Sequence, residues 1–108
     1  MSTEKTNSVI PVEEEITIIK QVCNGDKAAA DKLTAVHKGH IEAVAKEYLN
    51  RGLDLSELIA AGTKGLLKAA EKFDETRGFR FISYAIWWIR QEMLQAIQRT
   101  KTIVSSSK

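Results

Sequence analysis

Apolar residues recur every three or four positions along most of the chain, which is the spacing of one face of an α-helix. The first such run begins after Pro11, carries three glutamates at residues 13–15 that oppose the helix dipole, and ends at Asn24-Gly25. Its expected buried face comprises Val12, Ile16, Ile19 and Cys23. No run alternates apolar and polar residues for long, as strands do. The pattern predicts an all-α fold.

A second, longer helix is predicted to begin at Asp26, a favoured N-cap residue, and to end at the segment Asn50-Arg51-Gly52. Gly39 weakens the middle of this helix. Its apolar face comprises Ala29, Ala30, Leu33, Val36, Ile41, Val44, Ala45 and Tyr48. This mostly helical spacing favours one helix throughout.

A third helix is predicted to begin near Asp54 or Ser56, either of which can serve as its N-cap. Its shared face comprises Leu55, Leu58, Ile59, Gly62, Leu66, Ala69 and Ala70. Because glycine has no side chain, Gly62 and Gly65 permit another helix to approach this one closely.

A fourth helix is predicted from about Phe81 to Thr100, after a segment of turn composition at residues 74–78. Its expected buried stripe comprises Ile82, Ile86, Ile89, Met93 and Ala96. The sequence therefore predicts a compact bundle of about four helices.

The length of 108 residues and the hydrophobic content of 44% leave room for one folded domain. We place this domain at residues 11–103, between a mobile N-terminal tail at residues 1–10 and a C-terminal tail at residues 104–108. Cys23 is the only cysteine, which excludes an internal disulfide and suits a reducing cytosol. The sequence contains neither a run of about 20 apolar residues nor a signal-peptide pattern. We expect a soluble, cytoplasmic protein with no membrane partner.

Charged and aromatic residues are distributed unevenly, although the net charge is only +2. Residues 1–54 carry 7 Lys and Arg against 9 Asp and Glu, whereas residues 55–108 carry 9 against 5. Six of the seven aromatic residues fall between Phe73 and Trp88, interleaved with basic ones. Aromatic faces stack on unpaired bases while cations hold the phosphate backbone. This combination favours a nucleic-acid interface over a purely structural core.

Helical spacing places these residues on shared faces. A stripe of lysines lines the third helix, which is also typical of a solvated helix side: Lys64, Lys68 and Lys72. On the fourth helix, Trp87 lies about 100° from Trp88 around the axis, so a bundle of this size leaves at least one indole accessible. Nearby, Gln91 offers an amide that can pair with adenine.

Three segments carry a specific resemblance to a known family: AKEYLNRGL, GLLKAAEKFDETRGFRFISYAIWWIRQ and, more loosely, RTKTIV. From about Ala45 to Ile103 the chain resembles region two of the bacterial sigma-70 family of transcription initiation factors. The resemblance implies a helical domain that docks on the clamp helices of the largest subunit of core RNA polymerase. It also implies that this domain melts the promoter minus-ten element by capturing flipped bases of the nontemplate strand.

The resemblance assigns roles to particular residues of this chain. The positions that match the family's melting and base-capture residues are Arg77, Phe79, Phe81, Ser83, Tyr84, Trp87 and Trp88. Gln91 matches the reader of the upstream edge of the element, and His37 stands where an Asn often helps to hold a downstream base. The side chains expected to contact or steer the DNA backbone are Lys68, Lys72, Arg80 and Arg90.

The polymerase-contact segment typically reads like DLIQEGNIGL in the family and is ELIAAGTKGL here. The residues expected to face the polymerase are Glu57, Ala60, Ala61 and Thr63. Glu57 keeps the charge of the usual Asp, whereas Ala60 and Ala61 replace an amide and a carboxylate. The docking surface implied by the resemblance is therefore less polar in this chain.

The sequence also permits comparison with two other classes of function, a protein-binding adaptor and an enzyme. The chain could be a sigma-like decoy or adaptor that binds a protein through an exposed Trp face without melting DNA, since protein interfaces also favour Trp and Arg. An enzyme is disfavoured, because His37, His40 and Cys23 do not make a zinc ligand set, and Asp74 and Glu75 suit a turn better than an acid–base pair. We expect no enzymatic activity, no metal, no cofactor and no small-molecule substrate.

Overall fold

The computed structural model describes residues 11–78 and 80–106, with side chains as far as residue 100. Within this part of the chain the regular structure consists of five α-helices and a short 3₁₀ turn at Glu75–Arg77, without any strand. The helices are α1 (Val12–Cys23), α2 (Lys27–Val36), α3 (Lys38–Glu47), α4 (Leu55–Lys72) and α5 (Phe81–Ser106). The all-α prediction is confirmed. The predicted N-terminal tail, residues 1–10, lies outside the described residues.

The helix predicted to follow Asp26 without interruption is divided into α2 and α3, so that prediction is wrong. The break lies at His37, whose φ and ψ of −105° and 14° fall outside the helical range. The His37 side chain is buried and its ring lies 5.6 Å from that of Phe81. The low helix propensity of Gly39 weakens the chain at this point, and the buried position of His37 favours the change of direction.

Asp54 is the N-cap of α4, which decides between the two residues that the sequence allowed. Its Oδ1 atom accepts a hydrogen bond of 2.8 Å from the backbone N–H of Glu57. In return, the backbone N–H of Asp54 donates to Glu57 Oε1 at 3.0 Å. This reciprocal capping box satisfies two backbone donors at the helix start and fixes the Glu57 carboxylate there.

Helices α4 and α5 are in close contact at the two glycines of α4, as the sequence predicted. A Cβ atom on Gly65 would lie 2.5 Å from the backbone oxygen of Trp88, and one on Gly62 would lie 2.6 Å from Met93 Cε. Around this contact the core contains Leu58, Leu66, Ala69, Ile89 and Met93, all fully buried. The close approach holds the α5 segment that carries both tryptophans against the core.

The buried stripe of α5 differs from the predicted one. Its fully or almost fully buried apolar members are Phe81, Ala85, Ile89, Met93 and Ile97. The prediction for Ile82, Ile86 and Ala96 is wrong, since all three are only half-buried. The core at the start of α5 is filled instead by the ring of Phe81, which packs edge-on against Phe73 with centroids 5.3 Å apart.

The end of α5 also lies beyond its predicted position. The helix continues past Thr100 to Ser106 and so enters the predicted C-terminal tail, of which residues 107–108 are outside the described part. No Gly or Pro follows Thr100 in the sequence to stop the helix. None of the helices in the described residues is both long and apolar enough to cross a membrane.

Helix α1 buries Glu15 together with Ile18 and Ile19. The apolar face predicted for it is only partly correct, because Val12 is 41% exposed and Cys23 is exposed. The face that α1 buries differs from the predicted one, and the buried Glu15 carboxylate is paired with the buried His37 and with the more exposed Arg80. Those partners belong to the site described next.

Candidate nucleic-acid interface

The turn between α4 and α5 is held by its own hydrogen bonds. Asp74 Oδ1 accepts from the backbone N–H of Thr76 at 3.0 Å and from its hydroxyl at 2.6 Å. These bonds, with a smaller contribution from the charge of Arg77, lower the pKa of Asp74. Gly78 has a φ of 86°, in the left-handed region that glycine adopts without strain. The turn thereby presents Arg77 on the surface in a defined position.

A cavity of about 430 Å³ opens between this turn and α5. Its lining comprises Lys72, Asp74, Arg77 and Tyr84. Two of these side chains are cationic, one is anionic and one is aromatic, and all four come from residues predicted as a turn or as part of the interface. A cavity with this lining can accept a planar aromatic group while the cations hold an attached anion.

An array of aromatic rings runs from the core to the surface beside this cavity. Phe73 lies 5.8 Å from Tyr84, and Tyr84 lies 6.3 Å from Trp88. Trp88 in turn meets Trp87 edge-on, with ring centroids 5.3 Å apart and an interplanar angle of 86°. Trp87 is 58% exposed, so the prediction that at least one indole is accessible is confirmed.

The two tryptophans are held differently. Trp88 is half-buried against the core, and its Nε1 atom is buried with no hydrogen-bond partner in the described part of the chain. Packing, and not hydrogen bonding, therefore fixes its indole. Ser83, which is exposed, and Gln91, which is half-buried, lie one helical turn before and after Trp87 on the same side of α5.

The cations predicted for the DNA surface, which are the four backbone cations and Arg77, fall into two groups. Three of them form intramolecular ion pairs: Lys68 with Glu92 at 2.8 Å, Arg80 with Glu15 at 3.5 Å and Arg90 with Glu47 at 2.5 Å. The hydrogen bonds that Arg90 donates to Glu47 and Tyr48 raise the pKa of Arg90. Lys72 and Arg77 are exposed and make no ion pair with any residue that the structure describes. These two cations are the ones immediately available to a phosphate.

Comparison with known proteins bears on this arrangement. The family described as sigma-70 region 2 matches residues 33–103. The RNA polymerase sigma factor SigA of Clostridium acetobutylicum is 45% identical over 85 residues, which cover 79% of this chain and 22% of that protein. The RNA polymerase sigma factor SigA of a Bacillus species is 39% identical over 89 residues, or 82% of this chain and 24% of that protein.

The chain belongs to the sigma-70 region 2 family. The match begins within α2, so α1 lies outside it, and it includes the turn, the cavity lining and both tryptophans. The chain spans roughly a quarter of the length of these two relatives. The family resemblance stated from the sequence is confirmed.

Among the residues assigned to base capture, Phe81 needs correction and Phe79 lies outside the described residues. The Phe81 side chain is only 1% exposed, because it fills the core between Phe73 and the ring of His37. It therefore supports the surface from below and does not itself form part of it. Of the other assigned residues, Arg77 and Tyr84 line the cavity, and Trp88 lies between Tyr84 and the exposed Trp87. Ser83 is exposed one helical turn before Trp87.

The residues assigned to polymerase contact lie along the first half of α4. The Glu57 carboxylate is engaged in the capping box, and the Thr63 hydroxyl donates to the backbone oxygen of Ile59 at 2.9 Å. Ala60 is exposed and Ala61 is half-buried. This segment of the region 2 domain therefore offers methyl groups between two polar side chains that already have partners within the helix.

A buried polar cluster behind the turn was not found from the sequence. Glu15 Oε2 lies 2.8 Å from His37 Nε2, and His37 Nδ1 lies 3.4 Å from His40 Nδ1. Glu15 Oε1 also reaches Arg80 at the start of α5. His37, which the resemblance placed near a downstream base, is instead buried. The available signal was the position of Glu15, three and four residues before the core residues Ile18 and Ile19.

The ionisable groups of this cluster shift one another's pKa values because they lie close together. Burial opposes ionisation of Glu15, but the hydrogen bond and charge of His37, together with Arg80, outweigh it and lower the pKa of Glu15. Burial and the charge of His37 lower the pKa of His40. No group of three or more His, Cys, Asp or Glu side chains within the described residues is arranged to hold a metal ion.

Proposed function

We propose that this chain is a promoter-recognising domain of a transcription initiation factor, which captures unpaired bases of the nontemplate strand of a minus-ten element. The observation that carries the proposal is the exposed Trp87, edge-on to Trp88 and close in sequence to Tyr84, which lines the cavity. Family membership and the names of the two relatives support it. The domain would bind DNA without catalysing a covalent reaction.

Promoter melting by this surface would depend on binding energy alone. A base that leaves the duplex loses stacking and pairing worth a few kcal/mol. Stacking on an aromatic side chain returns about 1–3 kcal/mol per base, which offsets much of that loss. In our proposal Trp87 and Tyr84 supply such contacts, and Gln91 offers an amide to the upstream edge of the element. The bases that these sites accept would determine the preferred sequence.

Phosphate contacts would hold the strand along the same surface. Lys72 and Arg77 flank the cavity and are exposed, so a phosphate attached to a captured base could reach either cation. Arg77 is suited to bidentate contact with a phosphate, while Lys72 acts as a point charge. These contacts carry no sequence information, and we expect them to make binding strongly dependent on salt.

Binding of single-stranded oligonucleotides to the full chain tests this proposal. Fluorescence anisotropy at one fixed salt concentration should give tighter binding to an oligonucleotide containing TATAAT than to a scrambled one of equal composition. Equal affinity for the two would refute sequence-selective base capture. Reversal of charge in Lys72→Glu with Arg77→Glu should weaken both complexes and reduce the salt dependence.

Docking on core RNA polymerase is the second part of the proposal. The surface is the first half of α4, where Ala60 and Ala61 replace polar residues usual in the family. Co-purification with bacterial core polymerase should be compared between the unaltered chain and an Ala60→Gln, Ala61→Glu variant. Binding of the unaltered chain supports docking through this surface, whereas binding of the restored variant alone indicates that the two alanines have weakened it. Failure of both favours the adaptor described next.

An adaptor that binds another protein is the alternative function. The observation that favours it is the pairing of three predicted DNA-contacting cations with carboxylates of the same chain, which lowers the charge available for phosphate. Such a protein would use Trp87 as an apolar anchor. Its partner binding should survive the Lys72→Glu, Arg77→Glu substitutions and depend little on salt, in contrast to DNA binding.

A further inference from the structure

A buried carboxylate faces the proposed DNA surface from inside the bundle. Glu92 lies on α5 one helical turn after Trp88, and its side chain is 4% exposed. Its Oε2 atom accepts a hydrogen bond of 2.8 Å from Lys68 Nζ on α4. The Lys68 side chain is 42% exposed, so its ammonium group joins a buried anion on one side and faces solvent on the other.

We propose that Glu92 acts as an internal counter-ion for Lys68 and thereby sets the affinity of this surface for nucleic-acid phosphate. The proposal rests on the proposed function in treating this face as the DNA surface. Its chemistry requires only that a polyanion approach Lys68. Glu92 does not touch the bound strand; it acts through the lysine.

The location of Glu92 makes this pairing persistent. A buried carboxylate that lost its cation would be left with an uncompensated charge inside the protein, which is strongly unfavourable. A phosphate that contacts Lys68 must therefore share the ammonium group with Glu92 and cannot displace it into solvent. Lys68 then contributes less than one full cation to binding.

The other two pairs differ from this one in a way that singles out Glu92. Glu47, the partner of Arg90, is 52% exposed and can turn into solvent when a phosphate arrives. Glu15, the partner of Arg80, has His37 as a second and closer partner, so release of Arg80 leaves it hydrogen-bonded. For Glu92, Lys68 is the single partner observed within the described residues. Of the three carboxylates, Glu92 is therefore the one least able to release its cation.

The test uses probes that contain no minus-ten sequence: oligothymidylate and immobilised heparin. Glu92→Gln removes the charge and keeps the shape, and we expect it to bind oligothymidylate about 3–10-fold more tightly at low salt. The slope of log affinity against log salt should steepen by about 0.7, the value for one further phosphate contact on a single strand. Elution from heparin should move to higher salt. Thermal unfolding establishes that the variant is folded, and Glu92→Met provides a second neutral variant of similar size.

Two controls separate this effect from a general gain of positive charge. Glu13→Gln makes the same change in net charge at an exposed position on α1 and should leave affinity within twofold of the unaltered chain. In a Lys68→Met background, Glu92→Gln should no longer increase affinity, since the cation it would release is absent. Persistence of the increase in that background would contradict the proposal.

The outcomes distinguish this inference from the proposed function. Tighter binding of oligothymidylate and heparin by folded Glu92→Gln supports the inference even where TATAAT is not preferred over a scrambled sequence. Unchanged affinity and salt slope in both folded Glu92 variants would overturn it, even where the unaltered chain prefers TATAAT. Weaker binding would also overturn it and would indicate that Glu92 positions Lys68 for contact with phosphate.

Discussion

Glu15 and His37 form a buried contact between α1 and the break that separates α2 from α3, with 2.8 Å between Oε2 and Nε2. Their side chains are 4% and 6% exposed. Glu15 also reaches Arg80 at the start of α5, so one carboxylate connects α1 to two other parts of the bundle. These contacts fix α1, which lies outside the family match, to the α2–α3 break and to Arg80, which follows the turn that carries the proposed DNA surface.

Removal of the Glu15 carboxylate should destabilise the whole domain. We expect Glu15→Ala to lower the free energy of unfolding by about 2–4 kcal/mol, because it leaves Nε2 of the buried His37 without the carboxylate that contacts it. Glu15→Gln keeps an acceptor and should cost less. Urea denaturation measures the change, and Glu13→Ala at an exposed position is the control, expected to stay within about 0.5 kcal/mol. Equal stabilities of Glu15→Ala and Glu13→Ala would contradict the account.

Acidification should destabilise the protein through His40 before it does so through Glu15. The folded state lowers the pKa of His40 below its ordinary value, so the contribution of His40 is complete above pH of about 6.5 and is lost as the pH falls through the folded-state pKa. The pKa of Glu15 is also lowered, and its contribution disappears only below pH of about 4.5.

Comparison with a His40→Gln variant isolates the histidine contribution to this pH dependence. As the pH falls from about 7.5 to about 5.5, a range that spans the ordinary histidine pKa, the urea midpoint of the unaltered protein should fall more than that of the variant. Below that range the two should lose stability in parallel, since both retain Glu15. A difference that does not change with pH would contradict the assignment to His40.

The two glycines at positions 39 and 65 should respond in opposite ways to alanine. A Cβ atom on Gly65 meets the backbone of Trp88 at 2.5 Å, so Gly65→Ala must separate α4 from α5 and should cost at least about 2–3 kcal/mol. Nothing lies within 4 Å of a Cβ atom on Gly39, so Gly39→Ala should stabilise α3 by about 0.5–1 kcal/mol. Thermal unfolding of both variants measures the changes, and destabilisation by Gly39→Ala or neutrality of Gly65→Ala would contradict the packing described.

The two tryptophans should differ in how much they contribute to the stability of the domain. Trp88→Ala removes a half-buried ring that packs on the core and should cost about 1–3 kcal/mol of unfolding free energy. Trp87→Ala removes a ring that is 58% exposed and should cost less than about 1 kcal/mol. Chemical denaturation of the two variants side by side provides the comparison. A loss above about 3 kcal/mol for Trp88→Ala would indicate that its ring serves only the core and contradict its assignment to the DNA surface.

The features predicted correctly from sequence are those that local chemistry determines. Helix periodicity, the turn at residues 74–78 and the close approach at Gly62 and Gly65 each follow from residues near one another in the chain. The accessible indole follows from the angle between Trp87 and Trp88 around one helix. The segment letters around these tryptophans also carried the family resemblance, because they form a long and specific string.

The features that the sequence did not reveal depend on distant partners. The break at His37 and the burial of Glu15 rely on a contact between residues 22 positions apart, and neither residue alone indicates the other. Phe81 was assigned to base capture because it matches a family position, but its ring fills space beside Phe73 and His37. Glu92 faces Lys68 only once α4 and α5 have packed together.

The central claim is that the surface around Trp87 reads unpaired bases, and one comparison tests it most directly. Affinities for a TATAAT-containing strand and a scrambled strand are measured with the unaltered chain, Trp87→Ala and Trp87→Tyr at matched salt. We predict a clear preference for TATAAT, a loss of about 1–3 kcal/mol for Trp87→Ala on that strand, and partial recovery with Trp87→Tyr. An undiminished preference in Trp87→Ala, or no preference in the unaltered chain, would contradict the account.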